Sequence, residues 1–500
     1  MFEYFFAAYT AATALLITSH YIEALKLKTT LKITWHLIVA LTTCTLYYVK
    51  LIDEVSLTLG LSFTAISALI STYTITYTQV HHYPSHLELL MDIFLLSLIS
   101  SYIAPSFILM VIAWTISEIV GYMLIRIGEE YSTEGSLTSS RGYILTSTMS
   151  FELSVFTMIT ISTLLTAANI GLYELIKPFT QKTITVTTPI IMIPLLMLGF
   201  LVKTANIPLH FWLPSAHSSA PSPASASLSG LMVSLGYYGL YRVLEYIDIE
   251  QYSTHIALFF IAVGLMSILY GGQQALTQRD VKKLLAYSTI ATNGFISTVF
   301  AIYITQPTEI TKFTLILSIL MHAAYKTTLF SEAGLIEAVY GTRYIHGVRG
   351  FVNTAPLSTI GGLLSVFSLL GVPGTLGFTV KLLSAYCSLT MMNTHPVITF
   401  TTITSILAYI IVSAMIALRY SRIYYDEEPG KIEFMVEKLS KSMQTPVLLM
   451  GLLNVLLILT SVTLITYEYW SILALTTLIA VLSVLLSYTH FKTTSTRLKK

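Results

Sequence analysis

Charged residues are scarce in this chain, which has only 27 Lys and Arg and 25 Asp and Glu among its 500 residues. They make up 10% of the sequence, against about a quarter in soluble domains. Hydrophobic residues make up 54%, and the mean hydropathy is +0.74. These values exclude a soluble globular protein, and a net charge of +2 gives no reason to expect a nucleic-acid partner. We predict a multi-pass integral membrane protein surrounded by the lipid bilayer.

Cysteine and the usual catalytic motifs are almost absent. Cys44 and Cys387 both lie in apolar segments, which excludes a disulfide framework and a thiolate metal site. The sequence also lacks HExxH, CxxC, a P-loop and a GxGxxG that opens a helix. We therefore expect no metal site, no cofactor in this chain and no soluble catalytic domain.

Apolar segments of spanning length recur from residue 4 to residue 490. Some of them are expected to be halves of interrupted helices, so at roughly 20 residues per span we predict about 14 transmembrane helices. The N-terminus lacks the features of a cleavable signal peptide, which predicts a retained first helix. Lys26, Lys28 and Lys32 follow it, and the positive-inside tendency assigns that loop to the cytoplasm.

Two segments break the helical pattern with Pro and Gly at membrane depth, residues 203–223 and residues 371–381. Non-helical backbone is tolerated in a bilayer only where protein or a water-filled cavity satisfies its polar groups. Paired interrupted helices in the two halves of a chain are typical of transporters built from structural repeats. This pattern predicts an ion path near the middle of the membrane.

Ionisable residues inside the predicted spans are the second unusual feature. Each costs about 2.5–3.5 kcal/mol at a helix centre, so each needs a structural or functional reason. Asp92 and Lys203 lie nearest the predicted helix ends. For these two residues, a side chain that extends to the membrane surface is as good an explanation as a buried charge with a role. The full set is Asp92, Glu118, Glu152, Lys203, His322, Lys326, Glu332 and Lys381.

His322 and Lys326 are four residues apart and therefore lie on one face of a helix. An imidazole next to a buried lysine can pass a proton to or from water, because its unperturbed pKa of about 6.5 is close to neutrality. The alternative, a packed histidine beside a structural ion-pair lysine, remains open on the residues alone.

Four ordered blocks resemble a known family. They are Lys203-Thr-Ala-Asn-Ile-Pro-Leu-His-Phe-Trp-Leu-Pro, Asp280-Val-Lys-Lys-Leu-Leu-Ala-Tyr-Ser-Thr, His322-Ala-Ala-Tyr-Lys and Gly377-Phe-Thr-Val-Lys. This set is similar to the antiporter-like membrane subunits shared by respiratory complex I, membrane-bound hydrogenases and Mrp cation/proton antiporters. The resemblance covers residues from about 60 to about 420 and implies a multi-pass protein of a prokaryotic cytoplasmic membrane.

The resemblance implies an all-α polytopic membrane protein with two inverted five-helix repeats, each containing an interrupted helix. Under that expectation the chain divides into four parts. They are the N-terminal transmembrane helices in residues 1–80, the first antiporter-like repeat in 81–250, the second in 251–423, and an interfacial segment with the C-terminal helices in 424–500.

By the resemblance, Lys203 is the lysine of the first interrupted helix, with its charge set by an acid on a neighbouring helix. Lys326 is the central lysine with His322 as its relay, and Lys381 is the lysine of the second interrupted helix near the exit half-channel. Lys282 matches a basic position on the same axis, although interfacial anchoring is an even alternative for it without the family match.

The chain also departs from the family pattern. The family's Trp-Glu motif is Trp114-Thr115 here, so the acid that pairs with Lys203 is either Glu118, one turn later, or Glu152 in the following segment. Two positions that often carry Lys or His in relatives hold Ser234 and Ser318, and Ser215 replaces the usual Asp before Ala216-His217. Glu332 is an extra acid, on a different helix face from Lys326, which suggests a sodium path or a contact with another helix.

We therefore expect a non-redox, ion-translocating subunit of a redox-driven complex or an Mrp-type antiporter, with other membrane subunits as partners and protons, sodium or both as the ions. The sequence leaves open whether that complex is an oxidoreductase. The alternative is a stand-alone secondary transporter of a small solute, which would require a midplane pocket with substrate-specific polar groups.

Overall fold

The computed structural model describes residues 2–131, 138–164, 175–181, 186–187, 192–425 and 441–464. Nearly all of this backbone is helical, and within it nine helices are long and apolar enough to cross a membrane. The expectation of an all-α, multi-pass membrane protein is confirmed. The total of about 14 spans stays a prediction, and both the interfacial segment after Tyr425 and the apolar segment at 470–490 lie outside the described residues.

Three helices precede the first repeat: α1 (Phe2–His20), α2 (Leu25–Tyr48) and α3 (Glu54–Val80). Helix α3 begins where the Asp53 side chain accepts a hydrogen bond from the Ser56 backbone N–H at 2.9 Å. The same carboxylate binds the buried Arg242 guanidinium through both oxygens, at 2.6 and 2.9 Å. This bidentate pair attaches the start of α3 to the first repeat.

The first repeat consists of five segments, two of which contain a π-helical turn. They are α4 (His86–Ile103); α5 (Phe107–Tyr131); α6 (Thr138–Tyr143) joined to α7 (Met149–Leu164) by the π turn Ile144–Thr148; α8 (Met192–Lys203) followed by α9 (Trp212–Ser219); and α10 (Ser222–Ser227) joined to α11 (Val233–Leu244) by the π turn Leu228–Met232.

The second repeat has the same plan. It consists of α12 (Ser253–Thr277); α13 (Val281–Thr305); α14 (Glu309–Tyr340); α16 (Pro356–Leu370) followed by α17 (Leu376–Thr390); and α18 (Pro396–Tyr425), with the short α15 (Phe351–Thr354) before α16 and α19 (Lys441–Leu464) after α18. In both repeats the fourth segment is the interrupted one. Because the first repeat contains five segments, an odd number, the second repeat starts at the opposite face of the membrane, which makes the two repeats inverted.

The described chain contains one parallel β-ladder, formed by two short strands of two residues each. Strand β1 (Val186–Thr187) pairs with β2 (Ile247–Asp248). It joins the chain before α8 to the chain after α11, and Ile247 of β2 is buried.

Side chains from neighbouring helices satisfy the first helix break, between α8 and α9. The Ile207 N–H donates to the Ser267 hydroxyl at 2.9 Å, and the Asn293 amide donates to the Thr204 carbonyl at 2.6 Å. The Asn206 amide donates to the Tyr237 hydroxyl at 2.8 Å. The first part of the irregular backbone, residues 204–206, is thus buried in protein, as the bilayer requires, whereas Pro208 and Phe211 are exposed.

Glycine produces the second break, between α16 and α17. Gly371 ends α16 with a φ of 88°, in the left-handed region that favours glycine. A Cβ atom at Gly371 would also lie 3.1 Å from the Lys381 ammonium. The glycine therefore supplies both the turn and the space in which the lysine of α17 reaches the end of α16.

Helix α14 is the centre of the bundle. Its apolar 18-residue window is completely buried, whereas the corresponding window of α18 is only 39% buried. Helices α3, α10, α13, α16, α17 and α19 all pack against it. The helix that carries His322, Lys326 and Glu332 is therefore the one most shielded from lipid.

The structure corrects the prediction that Lys26, Lys28 and Lys32 form a basic loop. All three lie in α2, and Lys32 is buried in an ion pair with Asp92 of α4. The Ser71 hydroxyl donates to the same carboxylate at 2.5 Å. The sequence could not show this because only six residues, less than two helical turns, separate the exposed Lys26 from the buried Lys32. Because Asp92 is buried in this pair, its side chain does not extend to the membrane surface.

Lys32→Met should lower the free energy of unfolding by about 3–5 kcal/mol, because it leaves the Asp92 carboxylate buried without its counter-ion. The double variant Lys32→Met with Asp92→Leu should recover most of that loss. Thermal unfolding of the purified protein in mild detergent measures both effects. A single variant as stable as the wild type would contradict a buried ion pair here.

Candidate functional site

The lysine at the end of α8 meets an acid from α5. Lys203 and Glu118 form an ion pair, and the two side chains are only 1% and 0% exposed. The Trp114 indole N–H donates to the same carboxylate at 2.9 Å, and the rings of Tyr143 and Trp212 lie 5.1 and 5.6 Å from the ammonium. Of the two acids that the sequence left open, Glu118 is the partner of Lys203. The alternative that Lys203 reaches the membrane surface is wrong.

A serine in the first π-helical turn completes this pair. Ser147 accepts a hydrogen bond from the Lys203 ammonium at 2.7 Å and donates to Glu118 Oε2 at 3.0 Å. A π-helical turn contains one extra residue, which shifts the side chains after it around the helix axis and is frequent at functional sites. Here it brings a hydroxyl between the acid and the base.

The expectation that Glu152 is buried is wrong. Glu152 lies on the exposed face of α7, beside Met149 and Phe156, whose side chains are 66% and 68% exposed. Helix α7 packs against the rest of the protein on one side only, and an apolar sequence does not show which side that is. Glu152 is therefore separated from the Lys203 pair in this chain.

The central lysine binds neutral oxygens. Lys326 of α14 donates to the Leu285 carbonyl at 2.7 Å and to the Ser288 hydroxyl, both on α13. Its side chain is fully buried, and within the described residues no carboxylate lies within 4 Å of its ammonium. The ion-pair interpretation of Lys326 is thus not supported.

His322 connects the second repeat to the first. Its Nε2 atom lies 3.1 Å from the Ser229 carbonyl, in the second π-helical turn, and the Ser229 hydroxyl lies 2.9 Å from that of Thr289 on α13. The other ring nitrogen of His322 has no hydrogen-bond partner within the described chain. One nitrogen is thus anchored across the repeat boundary while the other is available to exchange a proton.

Two further groups lie near Lys326. His217 of α9 is fully buried, stacks on Phe330 at 4.9 Å, and has no hydrogen-bond partner for either ring nitrogen among the described residues. It lies within electrostatic range of Lys326 and Lys282. The Lys282 ammonium, 2% exposed, donates to the Ala220 carbonyl at 2.9 Å. Lys282 is therefore directed into the protein, and it does not act as an interfacial anchor.

The lysine of the second interrupted helix binds the end of its other half. Lys381 of α17 donates to the Leu369 and Leu370 carbonyls at 2.8 and 3.1 Å, the last two residues of α16. Carbonyls at a helix C-terminus carry partial negative charge and stabilise a cation. A third bond goes to the Ser413 hydroxyl of α18 at 2.9 Å.

The predicted site residues therefore differ in their electrostatic surroundings. Lys203 has a carboxylate partner, whereas Lys326 and Lys381 bind carbonyls and hydroxyls within the part of the chain that the structure describes. Lys282 binds a carbonyl and lies within electrostatic range of the Glu337 carboxylate. A buried lysine with neutral partners changes its charge more readily when another charge approaches or leaves. Such groups are suited to gaining and losing a proton in turn.

Sequence reasoning missed the hydroxyls that surround these lysines. Ser234 and Ser318, the serines that the family comparison emphasised, donate to the Gly230 and Leu315 carbonyls of their own segments. The hydroxyls that contact the ionisable groups belong instead to Ser147, Ser288 and Ser413. Serines are common in apolar helices, so the sequence pattern alone could not single out these three.

Comparison with known proteins agrees with this geometry. The family model described as NADH:quinone oxidoreductase/Mrp antiporter, transmembrane, matches residues 104–407, more than half of the chain. The chain belongs to this family. The expected family resemblance is thereby confirmed.

Relatives of known sequence and structure give the extent of the likeness. NADH-quinone oxidoreductase subunit M of Rickettsia prowazekii is 33% identical over 189 residues, which cover 38% of each chain. Two solved structures share the fold at 16% identity. They are the Mrp complex from Dietzia sp. DQ12-45-1b, with a TM-score of 0.69 over 94% of this chain and 97% of that one, and the archaeal membrane-bound sulfane sulfur reductase, with 0.71 over 95% and 96%.

Alignments to the curated relatives of this family member cover 24% to 42% of those proteins' lengths. The matched family segment begins just before α5 and ends within α18. It therefore contains Glu118, Lys203, Lys326 and Lys381, while the Lys32–Asp92 pair lies before it.

Glu118→Gln should lower the stability of this family member by about 3–5 kcal/mol, because it leaves the Lys203 ammonium without its counter-ion. Glu152→Gln is the matched control and should change stability by no more than about 0.5 kcal/mol, as is usual for exposed positions. Thermal unfolding in detergent, followed by ion-translocation measurements, compares the two variants. If Glu152→Gln had the larger effect, or both were silent, the Lys203–Glu118 assignment would be wrong.

Proposed function

We propose that this chain is an ion-translocating subunit of a larger membrane complex, and that it moves protons, sodium ions or both. The observation that carries the proposal is the contrast between one ion-paired lysine, Lys203, and buried lysines with neutral partners, Lys326 and Lys381. Structural stability alone gives no reason to bury the latter two, since each is costly in a membrane.

The first step of the proposed cycle is separation of Lys203 from Glu118. When the carboxylate no longer neutralises it, the Lys203 ammonium repels positive charge further along the protein. His217 and the unbonded nitrogen of His322 lie near Lys326 and are the groups that would transfer its proton. A change in a neighbouring subunit that shifts α5 against α8 would drive the separation.

The second step releases the ion through the second repeat. Lys381 is bound by the end of α16 and by Ser413, so a proton that reaches it is held by the helix terminus until the break between α16 and α17 moves. Because no step needs electron transfer, the chain itself requires no cofactor. Any redox chemistry would belong to partner subunits.

The similar proteins support this proposal, because they are subunits of membrane complexes. They include NADH-quinone oxidoreductase subunits, a hydrogenase-4 component F homolog, and chains of an Mrp complex and of an archaeal respiratory complex. A stand-alone transporter of a small solute is less well supported. A cavity of about 500 Å³ opens where α9, α12 and α13 meet, and Lys283, Arg343 and several serines line it near helix ends. This position fits an aqueous entrance for ions better than a midplane substrate pocket.

Lys326→Ala should reduce ion translocation by roughly a hundredfold or more, which is the effect expected for loss of a positioned proton-transfer group. The assay is proton and sodium uptake by the complex reconstituted in lipid vesicles. Lys312→Ala is the matched control, because Lys312 lies on the same helix but pairs with Glu309 at its partly exposed first turn. Full translocation by correctly assembled Lys326→Ala would refute the proposal.

A further inference from the structure

Glu332 is a buried acid that the proposed relay does not use. It lies on α14, six residues after Lys326, and its side chain is fully buried. Two tyrosines of α18 donate to its Oε2 atom, Tyr424 at 2.6 Å and Tyr420 at 2.9 Å, and the Ser358 hydroxyl of α16 donates to Oε1 at 3.3 Å. Three helices therefore converge on one carboxyl group.

This acid has no basic partner. Within the described residues no Lys, Arg or His side chain lies within 4 Å of the Glu332 carboxylate. An isolated buried carboxylate is so unfavourable that it must be neutralised by a proton or by a cation. Tyr420 and Tyr424 of α18 and Ser358 of α16 face the carboxyl group. Other titratable groups on these helices and on those packed against α14 include Tyr73 of α3, Lys381 of α17, Arg419 and Arg422 of α18, and Lys326 and Glu337 of α14 itself.

The surroundings of Glu332 consist of oxygen atoms. The two carboxylate oxygens, two phenol oxygens and one serine hydroxyl make five donors around one point. Carboxylate and neutral oxygens are the ligands that hard cations prefer. The absence of nitrogen and sulfur donors from this set argues against a transition metal.

Gly362 of α16 allows the helix to approach the Glu332 carboxyl group closely. A Cβ atom at Gly362 would overlap both Glu332 carboxylate oxygens and the Tyr424 hydroxyl. Helix α16 thus lies against the carboxyl group with no side chain between them. Any larger residue at this position would displace the Glu332 carboxyl group and the Tyr424 hydroxyl from their present contacts.

Helix α18 connects Glu332 with the relay. Tyr409, Ser413, Tyr420 and Tyr424 recur at intervals of four or seven residues, so they lie along one face of α18. Ser413 binds Lys381, and Tyr420 and Tyr424 bind Glu332. One face of α18 therefore contacts both Lys381 and Glu332.

We propose that Glu332, Tyr420, Tyr424 and Ser358 form a sodium site at which Na⁺ and a proton compete for the Glu332 carboxyl group. When Na⁺ binds, the protonated carboxyl releases one H⁺ to water and the carboxylate binds one Na⁺, so the charge of the site is unchanged. This inference deepens the proposed function, since it names the ion and a binding position for it within the second repeat.

The test is protection of Glu332 from a hydrophobic carbodiimide, which reacts only with a protonated carboxyl group. The intact complex in native membranes is treated over a range of pH, and labelling of the Glu332 peptide is measured by mass spectrometry. At fixed pH and ionic strength, Na⁺ at ten times its apparent dissociation constant should slow labelling roughly tenfold. Choline at the same concentration should not.

Two variants separate the site from general effects. Tyr424→Phe keeps the ring but removes one oxygen, so it should raise the Na⁺ concentration needed for protection. Gly362→Ala should abolish protection, because its methyl group would displace the Glu332 carboxyl group and the Tyr424 hydroxyl. Lys312→Ala should leave protection unchanged. Direct binding of radioactive Na⁺ to the purified complex, lost in Glu332→Gln, provides a second readout that does not depend on the reagent.

Labelling that is insensitive to Na⁺ at every pH, or unchanged Na⁺ binding in Glu332→Gln, would overturn the sodium site. A failure to label Glu332 at any pH would also overturn it, because the proposed carboxyl must exchange its proton with water. These outcomes are independent of the Lys326→Ala assay. Full ion translocation by Lys326→Ala would refute the ion relay even if Na⁺ protected Glu332. Loss of translocation in Lys326→Ala without Na⁺ protection of Glu332 would refute the sodium site and leave the relay intact.

Discussion

The ion pair between Lys203 and Glu118 is the interaction on which the arrangement of the first repeat depends. Each charge is tolerated at membrane depth only because the other lies beside it, and the arrangement brings α5, α8 and the first π-helical turn together at one point. Ser147 can take part because a π-helical turn directs it there. Loss of either Lys203 or Glu118 leaves the other charge buried without its partner, so the packing of the helices and the electrostatics of the site depend on each other.

Among the described residues, the two buried lysines Lys326 and Lys381 of the second repeat have no carboxylate partner. Lys326 and Lys381 are stabilised by carbonyls that the helices have left available: Leu285 on α13 and the terminal Leu369 and Leu370 of α16. Such partners are weaker than a carboxylate, and they depend on local backbone geometry. A small motion at the α16–α17 break therefore changes the environment of Lys381 directly, which links conformational change to charge.

The sequence predicted the residues of the site better than their contacts. Four motif blocks identified Lys203, Lys282, His322, Lys326 and Lys381, and all five are buried. The same reasoning misjudged Glu152 as buried and Lys32 as part of a loop. In both cases the error concerns which side of an apolar helix faces the protein, and lipid and protein neighbours select almost the same side chains in a membrane.

The sequence by itself determined the class of protein, the two interrupted helices and the ionisable residues placed at membrane depth, because apolar length, Pro and Gly positions and charge cost are local properties. Only the tertiary structure decided that Glu118 pairs with Lys203, that Asp92 pairs with Lys32, and that Tyr420, Tyr424 and Ser358 surround Glu332. These contacts join residues that lie between 26 and 92 positions apart. Such pairings depend on how helices pack and on where a π-helical turn shifts their register, which no local pattern of residues specifies.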